Sequence, residues 1–310
     1  MDLIFAGSPG SSANILESLC SNDDVNIKLV ITQPDKKSGR GRLMKESPVA
    51  LCSRKHGIQT VKPENLDRGS LNGILKASKC DFLVVVAYGK IIPKWLLDHP
   101  KICPINVHFS LLPEFRGASP VHAALLENKK VTGISMMKMT EGLDEGPVFS
   151  SHEVDIIESY NKEMLESALT KTTIQYLYPT LKNIMNKKLV PVSQDEALAT
   201  YTNKISKESG LVIFDQLTNQ ELINKFRAFQ EWPTVFFHFN NKIIKIKGLK
   251  ELSKEESKIA NNQAHSLCVY KFGLCVKTSD GMIVITHIQI QGKNIIGSND
   301  IYNSYRNFFK

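Results

Sequence analysis

The chain has 310 residues, 42% of them apolar, and a formal net charge of +8; that length exceeds an ordinary single domain, so two are expected, and the cationic excess favours an anionic partner. No run of about 18 apolar residues occurs, which excludes a membrane-spanning helix. The six cysteines form neither a Cys-x-x-Cys pair nor a Cys/His cluster at ligand spacing, so structural zinc and a disulfide framework are not expected, and no metal is assigned.

Residues 3–6 are a short apolar run, interrupted by Gly7, Pro9 and Gly10 before an amphipathic stretch over 13–20. This pattern predicts strand, tight turn and helix. No basic leader precedes it, which points to a cytoplasmic protein. Gly7 and Gly10 invite a dinucleotide-binding reading, but a third glycine and the acidic residue expected at the end of strand 27–32 are missing, so a Rossmann-like fold without the nucleotide is expected. Residues 33–45 hold Lys36, Lys37, Arg40, Arg42 and Lys45, two glycines and almost nothing to bury. They read as an exposed mobile loop, and such a segment can order itself on a phosphate backbone. Helices over 48–56 and 71–76 and strands over 59–61 and 82–87 then alternate as in an α/β domain. The sheet should be mainly parallel, with ligands beyond the carboxyl ends of its strands.

Residues 102–107 form the next expected strand. Asn106 and His108, two positions apart, project to one side where it runs out. Pro113, Gly117 and Pro120 make the following segment a loop that can fold over a pocket, ahead of a helix over 121–128. An amide beside an imidazole suits the oxyanion that forms when a nucleophile adds to a carbonyl. No Gly-x-Ser-x-Gly elbow surrounds Ser110 and the loop after it has no cysteine, so direct transfer between two bound substrates is expected. From Asn-x-His alone, a turn asparagine and a satisfied core histidine are the commoner outcome. Strand 133–139 ends in a turn with Glu141, Asp144 and Glu145 between glycines. Other ligands for a cation are lacking there.

Asn106-x-His108, Ser110 to Pro113, Arg116-Gly117-Ala118-x-Pro120-Val121 and Met139 to Pro147 resemble the folate-dependent formyltransferases in order and spacing. The resemblance implies 10-formyltetrahydrofolate as co-substrate and Asn106, His108 and Asp144 as catalytic residues, the carboxylate orienting His108 and assisting proton removal. It places the folate against Val86, Tyr88, Gly89 and Ile91, through backbone groups, and against Ser110, Leu111, Leu112, Pro113 and Gly142. Thr32 to Asp35, Gly39 to Arg42 and Ser47 to Val49 resemble a basic insertion in those members of the family that act on charged tRNA. That implies initiator methionyl-tRNA as the acceptor, with Lys36, Lys37, Arg40, Arg42 and Lys45 at its acceptor end.

A strand over 148–156 and a long helix over 161–185 close a catalytic domain of residues 1–188. Residues 189–206 read as a linker, and 207–310 as a smaller C-terminal domain. A helix over 221–228 and short strands over 235–239, 243–249, 264–270, 274–278 and 282–291 predict an OB-like β-barrel there. Residues 204–310 carry 15 Lys and Arg against 9 Asp and Glu. Lys245, Lys247 and Lys293 are the candidates for a tRNA backbone, with Lys242 and Lys250 beside them, although a solvated lysine is the commoner outcome for each alone. A monomer is expected. Two other readings stay open: a formyltransferase for a small amine such as an amino sugar nucleotide, which needs no basic loop, and an RNA-binding protein with an inactive pocket, against which the complete Asn106, His108 and Asp144 set argues.

Overall fold

The structure, a computed structural model, describes residues 1–38, 43–260 and 267–309. It divides into two compact units. The first comprises Met1–Val121, Lys130–Glu158 and Glu163–Asn203; the second comprises His122–Lys129, Ser159–Lys162 and Lys204–Lys310. Residues 189–203, expected to link two domains, therefore group with the first unit.

In chain order the first unit contains β1 (Asp2–Gly7), α1 (Gly10–Cys20), β2 (Asn26–Ile31), β3 (Lys36–Ser38), β4 (Leu43–Lys45), α2 (Pro48–Lys55), β5 (Thr60–Val61), α3 (Arg68–Ala77), β6 (Phe82–Val86), α4 (Lys94–Leu97), β7 (Cys103–His108) and β8 (Arg116–Gly117). After α5 (Pro120–Leu126) come β9 (Val131–Lys138), β10 (Val148–Asp155), α6 (Lys162–Met185) and β11 (Tyr201–Thr202). Seven of these strands form one sheet in the order β10-β9-β7-β6-β1-β2-β5. β7, β6, β1, β2 and β5 run parallel, while β9 and β10 are antiparallel additions. This is the Rossmann-like, mainly parallel sheet. β6 reads Phe-Leu-Val-Val-Val and is buried throughout, as a parallel strand covered on both faces requires. Local chemistry sets the helix starts: Ser47 accepts from the backbone N of Ala50 at 3.0 Å with Pro48 in the first turn of α2, and Asp67 accepts from the N of Ser70 at 3.0 Å to start α3.

Two features of this unit depart from expectation. Residues 36–45, expected as a loop, carry the antiparallel β3–β4 ribbon, with Lys36 opposite Lys45 and Lys37 opposite Met44. The supposed linker supplies β11, which pairs in parallel with β8. Both pairings are short, and neither has the alternating pattern by which strands are recognised.

The second unit is an OB-like antiparallel sheet. It is built from α7 (Asn219–Ala228), β12 (Phe236–Phe239), β13 (Lys242–Glu251), α8 (Lys254–Ala260), β14 (Leu267–Tyr270), β15 (Gly273–Lys277), β16 (Met282–Ile290), β17 (Ile295–Gly297) and α9 (Ser298–Ser304). The strand order is β12-β13-β16-β15-β14, with β17 on β16. Thr218 and Glu221 form a reciprocal capping box at the start of α7. α8 and β17 had no clear signal in the sequence. Among the described residues no helix is long and apolar enough to cross a membrane.

Candidate active site

Asn106 and His108 lie at the carboxyl end of β7, on one face, as the two-residue period of a strand dictates. Asn106 is opposite Val85 of β6 and Met137 of β9, and His108 is opposite Ser135. The strand ends that bear them are therefore fixed from both sides. Asp144, on the turn after β9, reaches across to this pair: Asn106 Nδ2 donates to its Oδ1 at 3.2 Å, and His108 Nδ1 lies 3.6 Å from its Oδ2. The three side chains named from the sequence are thus brought together.

Hydrogen-bond logic assigns the protons. His108 Nε2 is 2.8 Å from the carbonyl oxygen of Phe115. A carbonyl can only accept, so Nε2 carries a hydrogen and Nδ1 is the nitrogen left for chemistry. Asn106 spends one of its two amide hydrogens on Asp144 and keeps the other. Asp144 Oδ2 also accepts from the backbone N of Gly117 at 2.9 Å. His108 is almost fully buried and Asp144 largely so, which raises the strength of each of these contacts. Cys103, on the same strand, has its thiol pushed up to about 11 by burial, so a thiolate nucleophile is not on offer there.

The loop after β7 is tied down by the segment that sequence reasoning treated as a linker. The N of Phe115 donates to Thr200 Oγ1 at 2.8 Å, the N of Arg116 to Thr200 O at 2.9 Å and the N of Ser119 to Thr202 Oγ1 at 3.0 Å. Arg116 is fully buried. Its guanidinium donates to both Glu196 oxygens at 2.8 and 2.9 Å and to Gln194 Oε1 at 3.0 and 3.1 Å. Gln194 in turn donates to the carbonyls of Asp144 and Gly146. Gln194 and Thr200 read in the sequence only as part of a linker; a polar residue between turn signals carries no mark of what it will meet some 50 to 85 positions away.

The expected folate residues divide by what they can present. Val86 and Tyr88 are buried, and the Tyr88 ring belongs to the apolar cluster under β1, β2 and β6. Only their backbone is available: Val86 O accepts from Ser12 Oγ at 2.6 Å, and Tyr88 O accepts from Gln33 Nε2 at 2.6 Å and from Ser8 Oγ at 3.4 Å. Gly89 has φ +78, in the left-handed region that favours glycine. Ser110 is buried with its hydroxyl donating to Glu114 O at 2.6 Å, within the turn after β7. The side chain of Leu111 rests on Gly133, the N of Leu112 donates to Ser135 Oγ at 2.9 Å, and the peptide to Pro113 is cis. Gly142 has the Glu145 carboxylate where a Cβ would stand. Ile91 and Leu143 are left exposed, at 89% and 62%. The segments bearing them are joined by the ion pair of Lys94 with Glu141 at 3.4 Å.

The basic candidates fall in two places. Lys36 and Lys45 oppose each other on the ribbon and, with Lys37, are exposed; like charges directly opposite repel, and an anion relieves them. Lys36 donates to Gln33 Oε1 at 2.5 Å. Lys62 clamps the base of the ribbon, donating to Asp35 Oδ1 at 2.7 Å and Glu46 Oε1 at 2.8 Å. Arg40 and Arg42 lie outside the described residues. In the second unit, Lys245 and Lys247 alternate with the buried Ile244 and Ile246 and so share the outer face of β13. Burial and the neighbouring Lys245 hold the Lys247 amine below its ordinary value. Lys293 lies over the Tyr305 ring, 4.9 Å from its centroid, and donates to its hydroxyl at 3.1 Å. Lys250 is taken by Glu256 at 2.6 Å.

Among the described residues, Glu17, Cys52 and His56 are the one group with three possible metal-ligand atoms within 4.8 Å of one another. The Lys55 ammonium, 2.7 Å from Glu17 Oε1, already neutralises that carboxylate. Burial and Glu17 push the Cys52 thiol up to about 12.

The family model described as formyl transferase matches residues 2–181, and the one described as formyl transferase, C-terminal domain, matches residues 204–306. The chain is 38% identical to the methionyl-tRNA formyltransferase of Caldicellulosiruptor saccharolyticus over 307 residues, 99% of this chain and 97% of that one. It is 34% identical to that of Bacillus subtilis over 299 residues, 96% and 93% of the two chains. Among solved structures, the N-formyltransferase from Helicobacter canadensis, in complex with folinic acid and dTDP-3-aminofucose, superposes with a TM-score of 0.66. It is 17% identical, and the match covers 93% of this chain and 99% of that one. A likeness at that identity speaks to the fold alone.

Proposed function

The chain belongs to the formyl transferase family, and we propose that it transfers the formyl group of 10-formyltetrahydrofolate to the free α-amino group of methionine on initiator methionyl-tRNA. The observation that carries this reading is the match, over nearly the whole of both chains, to enzymes named for that acceptor. The basic ribbon supports it, because a formyltransferase for a small amine has no use for paired lysines on an exposed strand pair.

In this reading the amine nitrogen attacks the formyl carbon and a new C–N bond forms. The bond from that carbon to the folate nitrogen then breaks, the amine gives up a proton and tetrahydrofolate leaves with one. The negative charge gathers on the formyl oxygen. The free Nδ2 hydrogen of Asn106 and a proton on His108 Nδ1 are the donors that face it. Asp144, beside both, takes the amine proton. The folate fits what the residues offer: backbone groups at Val86, Tyr88 and Gly89 for its ring edge, and the exposed Ile91 and Leu143 side chains for its flat faces. Leu111, Leu112, Pro113 and Gly142 complete that side, with Ser110 supporting the turn. We assign the reaction to a cytoplasmic monomer, with residues 1–188 as the catalytic domain, supported by the bonds that residues 194–202 make to its site loops, 207–310 as a tRNA-binding domain, and Lys36, Lys37, Arg40, Arg42, Lys45, Lys245, Lys247 and Lys293 as the tRNA contacts.

The test is transfer of labelled formyl from 10-formyltetrahydrofolate to charged initiator methionyl-tRNA, run beside a folate-only control and an amino-sugar nucleotide. Formylated tRNA alone is the expected product. Formylated sugar without formylated tRNA overturns the acceptor and keeps the pocket.

A further inference from the structure

We propose that Gln194 is the positioning residue that sets Asp144 for formyl transfer. This rests on the reading of Asp144 given above. The Gln194 carboxamide uses its full bonding capacity: Oε1 accepts from Arg116 Nε at 3.1 Å and Nη2 at 3.0 Å, while Nε2 donates to Asp144 O at 2.8 Å and Gly146 O at 2.7 Å. Neither end of the amide can be exchanged. A guanidinium only donates and a carbonyl only accepts, so the four partners fix which atom is oxygen and which nitrogen.

The arrangement answers a specific need. Asp144 sits at φ +51, in the left-handed region that a residue with a Cβ occupies only when its surroundings hold it there. The Gln194 amide bridges two carbonyls of that turn, Asp144 and Gly146. The carboxylate of the same Asp144 is then aligned to Asn106 at 3.2 Å and to the N of Gly117 at 2.9 Å. Arg116 completes the connection. It is fully buried, held on its far side by Glu196, and adjacent in sequence to both Phe115, whose carbonyl takes His108 Nε2, and Gly117. One amide therefore fastens the Asp144 turn to the loop that holds the histidine, and their mutual geometry is set by a residue that need not touch either substrate.

Gln194→Glu is the informative substitution. It keeps the shape and both bonds from Arg116, but puts an oxygen against the Asp144 and Gly146 carbonyls where a donor stood. We expect kcat for formyl transfer to fall about ten- to a hundredfold, with KM for tRNA and for folate each within about twofold, because a misplaced reacting group costs rate and leaves substrate binding intact. Gln194→Met, of similar volume and without any of the four bonds, is the second variant should the first fail to fold. Both are repeated in an Asp144→Ala background, where they should lower the residual rate by less than about twofold, the positioned group being gone. Wild-type kcat in Gln194→Glu, or the same loss in both backgrounds, overturns the inference in favour of a purely structural bond. An Asp144→Ala chain that transfers formyl like the parent overturns the reading of Asp144, and this inference with it.

Discussion

The backbone N of Gly117 donates to Oδ2 of Asp144 at 2.9 Å, and this bond exists because Gly117 adopts φ +107 with Thr202 pressed against its bare α-carbon. A Cβ there would lie 2.5 Å from Thr202 O, a backbone atom that cannot swing aside. Gly117→Ala therefore combines an unfavourable backbone conformation with a clash. It should lower stability by about 1–3 kcal/mol and kcat by about tenfold or more as the carboxylate loses its support. Thermal unfolding and steady-state kinetics on the same preparation measure the two effects.

Asn106 is expected to give the largest loss in turnover for the least disturbance of the fold. Its amide is half-buried, and its bond within the site is to Asp144. Removing an oxyanion donor costs about 3 kcal/mol, roughly a hundredfold in kcat, so Asn106→Ala should show that loss with nearly unchanged KM values. A rate within a few-fold of the parent would remove Asn106 from the oxyanion.

Lys62 should act on one substrate alone. Its ammonium bridges Asp35 and Glu46, the residues flanking the two arms of the ribbon, and it follows directly on the edge strand β5. Lys62→Met releases both arms, and we expect KM for charged tRNA to rise about fivefold, KM for folate and kcat to stay near the parent values, and the salt dependence of tRNA binding to weaken. Equal effects on the two substrates would show that the ribbon does not serve the tRNA.

The Asn106 and His108 pair and the sheet beneath it are legible because their signals are local. Asn106 and His108 follow the two-residue period of a strand, β6 is an unbroken apolar run, and Ser47 and Thr218 are capping residues in capping positions. What was not legible depends on partners far along the chain. Nothing in the sequence around Gln194 or Thr200 announces Asp144 or Phe115, and a two-residue pairing such as β8 with β11 is too short for any period to show. The ribbon reads as a loop for a related reason: five cations and two glycines mask two three-residue strands too short to show a period. Ser110, a hydroxyl inside the motif, donates to the carbonyl of Glu114, a partner that its sequence context does not announce.

His152 predicts a pH-dependent stability. It stacks on Tyr176 with ring centroids 3.7 Å apart, and its Nε2 is buried with no partner among the described residues. Burial holds its pKa below the ordinary 6.5, so the folded chain keeps the ring neutral. The unfolded chain takes up a proton first as pH falls, so the His152 contribution is complete above its unfolded value and is lost as pH drops through the folded one. His152→Phe keeps the stack and removes the orphaned nitrogen. The variant should unfold at a higher temperature than the parent, and its midpoint should fall less between about pH 7.5 and about pH 5.5. An unchanged pH slope would assign the dependence to other groups.

The bonds between residues 194–202 and the loop after β7 decide how short this protein can be made. A gene truncated after residue 188 would still encode Asn106, His108 and Asp144. Its product would bury the Arg116 guanidinium without Gln194 and Glu196 to receive it, and would leave the carbonyls of Asp144 and Gly146 and the backbone N of Phe115, Arg116 and Ser119 without their partners. The smallest fragment that retains the reacting geometry therefore ends beyond Thr202, past the point where composition alone would place the cut.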